Sequence, residues 1–262
     1  MMALTPSTRH LESPSLVHKA AWPIALGIVP VLYAQGKWVR KQVPRLPHAP
    51  EPWEGEAPGP SPVSVLGVGD STIAGVGVTD ARDGLVPQFS LALHEKTQRG
   101  VSWRSVGQSG ATTKDILRHF LPPLFTAPAD VVLVSLGAND AKDLKPLGAT
   151  VSRFERLLTI LHEGHPDALI IFSSLPAFYL FPTLPQPLRA VIYAHAQAIE
   201  RSIRPMIESY PFAMMSPPPP GYHDTFFAVD GFHPSAAGYR DWARFALDDA
   251  LERGALEALG AR

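Results

Sequence analysis

Beyond residue 62 the chain alternates short apolar runs with longer stretches in which apolar residues return every three or four positions. Runs at residues 63–68, 101–106, 131–136 and 168–173, with a weaker one at 212–215, predict strands, several of them apolar on both faces. Between and after them the period lengthens. Val86, Phe89 and Leu93 share one helical face, as do Val151, Phe154, Leu158 and Leu161, and Tyr239, Trp242, Ala246 and Ala250 near the end. Apolar strands separated by amphipathic helices predict a parallel sheet covered on both sides, which is an α/β three-layer sandwich. The five runs make that sheet five-stranded and mainly parallel, and there is no internal repeat.

Upstream the pattern differs. Residues 1–19 are polar and mixed, whereas residues 20–36 carry no charge and are mostly apolar. A bilayer span needs roughly 17 to 25 residues, so this run predicts a short helix and a candidate membrane anchor. Lys37, Arg40, Lys41 and Arg45 follow it and only Arg9 and Lys19 precede it. That asymmetry predicts membrane contact through residues 20–45, with the rest of the chain on the cytoplasmic side. Ala34-Gln35-Gly36 also suits cleavage of a signal peptide and export, although the basic cluster just downstream argues against it. An amphipathic or core-packed helix with snorkelling basic residues is a third account. Residues 37–62 are basic and then rich in proline (Pro44, Pro47, Pro50, Pro52, Pro58, Pro60 and Pro62), which predicts a linker before a folded domain at residues 63–262.

Composition narrows the classes of function. At 262 residues and 45% hydrophobic content the chain can bury one substantial core. A net charge of −1, with no strongly basic run in the domain, gives no reason to expect nucleic acid as a partner. The absence of cysteine excludes disulfides, a thiol nucleophile and thiolate metal ligands.

Four clusters with chemical potential lie at or just beyond predicted strand ends, where ligands of open α/β sheets bind. The first, Gly69-Asp70-Ser71, sets a hydroxyl where a buried strand opens into a loop. The second runs from Ser105 through Gly107, Ser109 and Gly110 to Thr112 and Thr113. Its glycines allow close backbone approach to a ligand, and either threonine can cap the next helix. The third, Gly137-Ala138-Asn139-Asp140, offers an amide that can donate to a developing oxyanion, although the same residues also suit an ordinary turn. The fourth is Asp230-Gly231-Phe232-His233. A carboxylate three residues before an imidazole on a turn can orient its Nδ1–H and leave Nε2 free to take a proton from serine.

Taken together, Gly69-Asp70-Ser71, Gly107, Gly137-Ala138-Asn139-Asp140 and Asp230-Gly231-Phe232-His233 resemble the blocks of the SGNH hydrolases, the GDSL-type esterases and lipases, in the family's order. Gly75 and Gly77 also fit its first block, while Ser105 stands where many members have asparagine. The resemblance implies a flavodoxin-like α/β/α fold. It implies Ser71 as nucleophile, His233 as base and Asp230 as its partner, with an oxyanion hole from Ser71 N–H, Gly107 N–H and the Asn139 side chain. No cofactor and no metal are expected. A Gly-x-Ser-x-Gly elbow is absent, so the other common serine esterase scaffold lacks its signature.

Other residues invite comparison. Ser109 fits a backbone-donor loop better than a nucleophile. His223-Asp224 offers a rival base, although without the spacing of the fourth cluster. His162-Glu163-Gly164-His165 is not a His-Glu-x-x-His metal motif and falls where a helix should end. The apolar loop at residues 175–188, with Phe178, Tyr179 and Phe181, predicts a substrate-binding wall to which Phe226, Phe227 and Phe232 can add. Equally, those rings can pack beneath the loop. The expected activity is hydrolysis of acyl esters or lysophospholipid-like substrates. The alternatives are an acyltransferase, a carbohydrate O-acetylesterase and a non-catalytic binding module.

Overall fold

A computed structural model describes residues 16–219 and 221–256, with side chains from residue 28 onward, and the chain divides into two units at Gln42 and Val43. Most of the polar segment predicted at residues 1–19 lies outside the described residues. The first unit holds one helix, α1 (Leu16–Gln42), 27 residues long, with Arg40 and Lys41 in its last turn. The Lys37 ammonium sits 4.8 Å from the Tyr33 ring centroid. Among the described residues no helix is long and apolar enough to cross a membrane, so the run at residues 20–36 falls short of the bilayer span expected of it. The run is uncharged, but Ala, Gly, Pro and Gln dilute its Ile, Leu and Val, and the helix continues into a basic last turn.

The second unit is built on a sheet of six strands among the described residues: β1 (Glu54–Ala57), β2 (Val63–Gly69), β3 (Val101–Gly107), β4 (Val131–Ser135), β5 (Leu169–Phe172) and β6 (Ala213–Met215). Their order across the sheet is β1-β3-β2-β4-β5-β6, and every neighbouring pair is parallel except β1 with β3. The α/β/α sandwich expected from the periodicity is therefore present, with one strand more than the five apolar runs. That strand lies in the stretch read as a linker. Glu54-Gly55-Glu56-Ala57 has no apolar run to announce it, because an edge strand can be polar and can tolerate neighbouring prolines.

Helices close both faces. α2 (Leu85–Thr97) and α7 (Ala236–Glu252) pack together on one side, where Val86, Phe89, Leu93, Tyr239, Trp242 and Ala246 meet Val65, Val131, Leu133 and Ile171. α3 (Thr113–His119), α5 (Leu147–Gly164) and α6 (Leu188–Ile207) are linked by packing on the other. There the Phe154 ring lies 6.1 Å from that of Phe172, a β5 residue one position along from core-facing Ile171. Between β4 and α5 a short helix, α4 (Ala138–Lys142), carries Asn139 and Asp140.

Register decides what meets at the rim. Gly69, the last residue of β2, pairs with Gly107, the last of β3, and with Ser135, the last of β4. Three chains therefore leave the sheet at one level beside the central strand, so segments far apart in sequence emerge as neighbours.

Candidate active site

At this rim the chain turns sharply after β2. Asp70 N–H donates to Ser135 O at 3.1 Å, Ala74 N–H to Asp70 O at 3.0 Å and Val76 N–H to Ser71 O at 2.9 Å. From α7 the buried Tyr239 hydroxyl donates to Val76 O at 2.7 Å and pins the far side of the turn. Gly107 has no side chain because none would fit: a Cβ there would lie 2.6 Å from Ala74 N. Gly77, at φ 109°, lets the turn approach the segment ending in His233, and a Cβ on it would stand 2.2 Å from Pro234 O.

That segment is itself held tightly. Ala228 N–H donates to His233 O at 2.8 Å, and Phe227 and Pro234 form an isolated β-bridge. Asp230 Oδ1 accepts from the N–H groups of Phe232 and His233 at 2.9 and 3.0 Å. Its Oδ2 faces His233 Nδ1 at 2.6 Å, and His233 Nε2 lies 3.1 Å from Ser71 Oγ. An ionised carboxylate only accepts, so Nδ1 carries the proton and Nε2 is the lone-pair nitrogen facing the hydroxyl. Burial raises the Asp230 carboxyl, but the hydrogen bonds from His233 and from the backbone outweigh it and leave the group below its ordinary value. The Asp230 side chain is fully buried, whereas that of His233 keeps 18% exposure toward the rim.

Asn139, on α4, reaches the same turn through Asp70. Its Nδ2 donates to Ala111 O at 3.0 Å and to Asp70 Oδ2 at 3.3 Å, and the residue is buried. Asp70 is buried as well and accepts Thr72 N–H through Oδ1 at 3.1 Å. Desolvation pushes its carboxyl up to about 6, against the hydrogen bonds from Thr72 and the influence of His233. Asp140 binds a different partner. Its Oδ2 accepts Thr113 N–H and Oγ1–H at 2.9 and 3.1 Å, joining α4 to the start of α3, and burial raises its carboxyl. Thr112, one of the two threonines predicted to cap α3, does so in a reciprocal box with Asp115.

The structure thus gathers Ser71, Gly107, Asn139, Asp230 and His233 at one rim and treats the remaining candidates differently. Phe178 and Phe181 are buried, their rings 5.0 Å apart, and Phe181 lies 5.1 Å from both Phe227 and Phe232. Of the three rings expected to meet substrate, these two pack beneath the loop and Tyr179 alone is exposed, edge-on to Tyr193. The rival base His223 bonds Asp241 and Thr225 at the surface. His162 stacks on Phe212, while His165 accepts Ala129 N–H and donates to Leu124 O in the interior. Among the described residues no three His, Asp or Glu side chains converge to hold a metal ion. Sequence reasoning missed the Asp70 contact with Asn139 and the Tyr239 contact with Val76, because neither has a spacing signature.

A mainly parallel α/β/α sandwich with these blocks at its carboxyl rim defines a protein of the SGNH type. Residues 68–240 match the GDSL-like lipase/acylhydrolase family, and the chain belongs to it. A GDSL-like esterase of Mycobacterium tuberculosis (strain ATCC 25618 / H37Rv) is 26% identical over 212 residues, which cover 76% of this chain. The alignment covers 65% of that relative, so the chain spans just under two thirds of its length. Among solved structures, a lipase from a goat rumen metagenome is similar with a TM-score of 0.59 at 19% identity, covering 72% of this chain and 97% of the other. A family 3 carbohydrate esterase of Clostridium thermocellum gives 0.57 at 18%, covering 76% and 98%. At such identities the likeness is one of fold.

Proposed function

We propose that the protein is a serine ester hydrolase whose catalytic unit begins near Val43. The observation that carries this reading is the continuous chain from Ser71 Oγ through His233 to Asp230, at 3.1 and 2.6 Å. Serine is a weak nucleophile until a base takes its proton, and His233 Nε2 is in reach to take it. Ser71 Oγ attacks the ester carbonyl as its proton passes to Nε2. The proton then leaves with the alcohol, giving an acyl-enzyme. His233 next deprotonates a water, which attacks the acyl carbon; the bond from that carbon to Oγ then breaks as His233 returns the proton to Ser71, releasing the carboxylic acid. Asp230 holds the imidazole tautomer and offsets the charge that forms on it.

In this reading the developing oxyanion is met by the N–H groups of Ser71 and Gly107 and by Asn139 Nδ2. Ala111 O holds one amide hydrogen of Asn139. The longer contact, to Asp70 at 3.3 Å, is the one that yields its hydrogen to the oxyanion. The substrate class is an acyl ester whose acyl or alcohol group lies against the loop at residues 175–188, in which Tyr179 is the exposed ring.

The test is a panel of p-nitrophenyl esters of graded acyl length, assayed with and without an alcohol acceptor. Wild type should hydrolyse at least the shorter esters, and Ser71→Ala should abolish turnover. Turnover by Ser71→Ala at the wild-type rate would contradict the assignment. Product ester formed in preference to free acid would make the protein an acyltransferase on the same site.

A further inference from the structure

The rim is also held by residues outside the family match. Residues 43–53 precede the matched span, 68–240, yet they fold onto the two loops that supply the backbone donors named above. Ala49 is buried, and its N–H donates at 3.0 Å to the carbonyl of Ala74, whose own N–H closes the turn onto Asp70. Next to it, His48 Nε2 accepts Ser109 N–H at 3.2 Å. The imidazole is edge-on to Trp53, with ring centroids 5.5 Å apart. Trp53 ties the strap back on itself through Nε1–H to Ala49 O at 2.8 Å. It also ties the strap to β3, because Ser105 N–H donates to Trp53 O at 2.9 Å.

What the loop carries gives these contacts their weight. Residues 108–111 run between two working points: Gly107 N–H at one end, and at the other Ala111 O, which holds Asn139 Nδ2 at 3.0 Å. Ala111 N–H donates to Gln108 O at 3.0 Å, which closes the loop upon itself. With Gly107 before it and Gly110 inside it at φ 81°, its backbone has more freedom than most. An external acceptor at Ser109 removes that freedom at the crest. Oxyanion donors must be held in place before the reaction, since a misplacement of about 1 Å can cost roughly a hundredfold in rate.

We propose that His48 is a positioning residue of this site, fixing through Ser109 N–H the loop whose two ends set the Gly107 and Asn139 donors. The proposal rests on the ester-hydrolase reading above. It assigns the proline-rich strap a part in catalysis that lies outside the family's motif blocks.

Two substitutions in the full chain separate the acceptor from the ring. His48→Phe keeps an aromatic edge for Trp53 and has no acceptor nitrogen. His48→Gln loses the ring and offers an amide oxygen in its place. His48→Phe is expected to lower kcat on a p-nitrophenyl ester about tenfold, with KM within about twofold, because the lost placement matters mainly in the transition state. It should weaken inhibition by phenylboronic acid, whose tetrahedral adduct occupies the oxyanion hole, by a similar factor. His48→Gln should restore most of both. Wild-type kcat in His48→Phe would overturn the proposal, and so would a loss that follows the ring, with His48→Gln as impaired as His48→Phe. Ser71→Ala in the same assay keeps the two readings apart. If it stays active, the ester-hydrolase reading fails; if it is dead beside an unaffected His48→Phe, only the brace does.

Discussion

Asp70 and Asn139 share one buried corner, and each limits what the other can do. Burial raises the Asp70 carboxyl from 3.8 to about 6, so between those values the folded chain keeps a proton that the unfolded chain has released. Stability from this group is therefore greatest below about pH 4 and falls as pH rises through about 6, a loss on the order of 3 kcal/mol. Asp70→Asn is expected to remove that slope. In urea melts the variant should gain on wild type between pH 4 and pH 7, and a difference independent of pH would contradict the account. Asp230 behaves oppositely: its lowered carboxyl adds stability above its ordinary range that is lost on acidification. Asn139→Ala should lower kcat by roughly 10² to 10³ with little change in KM, as for the loss of one oxyanion donor. Asp230→Asn should likewise damage kcat more than KM, since it disturbs the imidazole and leaves binding intact.

At the scale of elements, the site depends on where chains leave the sheet and what holds them afterwards. β2 delivers Asp70 and Ser71, β3 delivers Gly107, and α4 lifts Asn139 beside them. α7 acts from behind, since Tyr239 donates to Val76 O and Val76 N–H donates to Ser71 O. Tyr239→Phe leaves that carbonyl without its buried partner and should cost about 1 to 3 kcal/mol in a urea melt. α3 is held at its start by Thr112 with Asp115, and by Asp140 through Thr113. Thr112→Ala should cost about 1 kcal/mol of stability, measurable by the same method.

At the scale of the whole molecule, the boundary of the second unit falls earlier than the first apolar strand. Residues 43–62 supply β1, the buried Ala49 and the Ser105 and Ser109 contacts, whereas α1 belongs to a separate unit. Removing residues 1–42 is expected to leave Tm unchanged. Removing residues 1–62 exposes the β3 edge and should cost about 3 kcal/mol, or roughly 10 °C in a thermal scan. Equal Tm values for the two truncations would contradict this division.

The α/β layering and the identity of the rim residues were legible in the sequence. Buried parallel strands must be apolar runs, and the chemistry proposed for the rim needs particular side chains at particular short spacings, as in Asp230-Gly231-Phe232-His233. The polar edge strand β1 was not legible, because half its hydrogen-bonding capacity faces outward and its side chains need not be apolar. Nor was the burial of Phe178 and Phe181 against the exposure of Tyr179, since neighbouring aromatic residues look alike until a helix or loop covers some of them. The contacts of His48 with Ser109 and of Asp70 with Asn139 span 61 and 69 residues. Sequence determined which groups were available to this site; the register that ends β2, β3 and β4 at one level decided which of them meet, because only paired backbones bring such distant segments within a hydrogen bond's length.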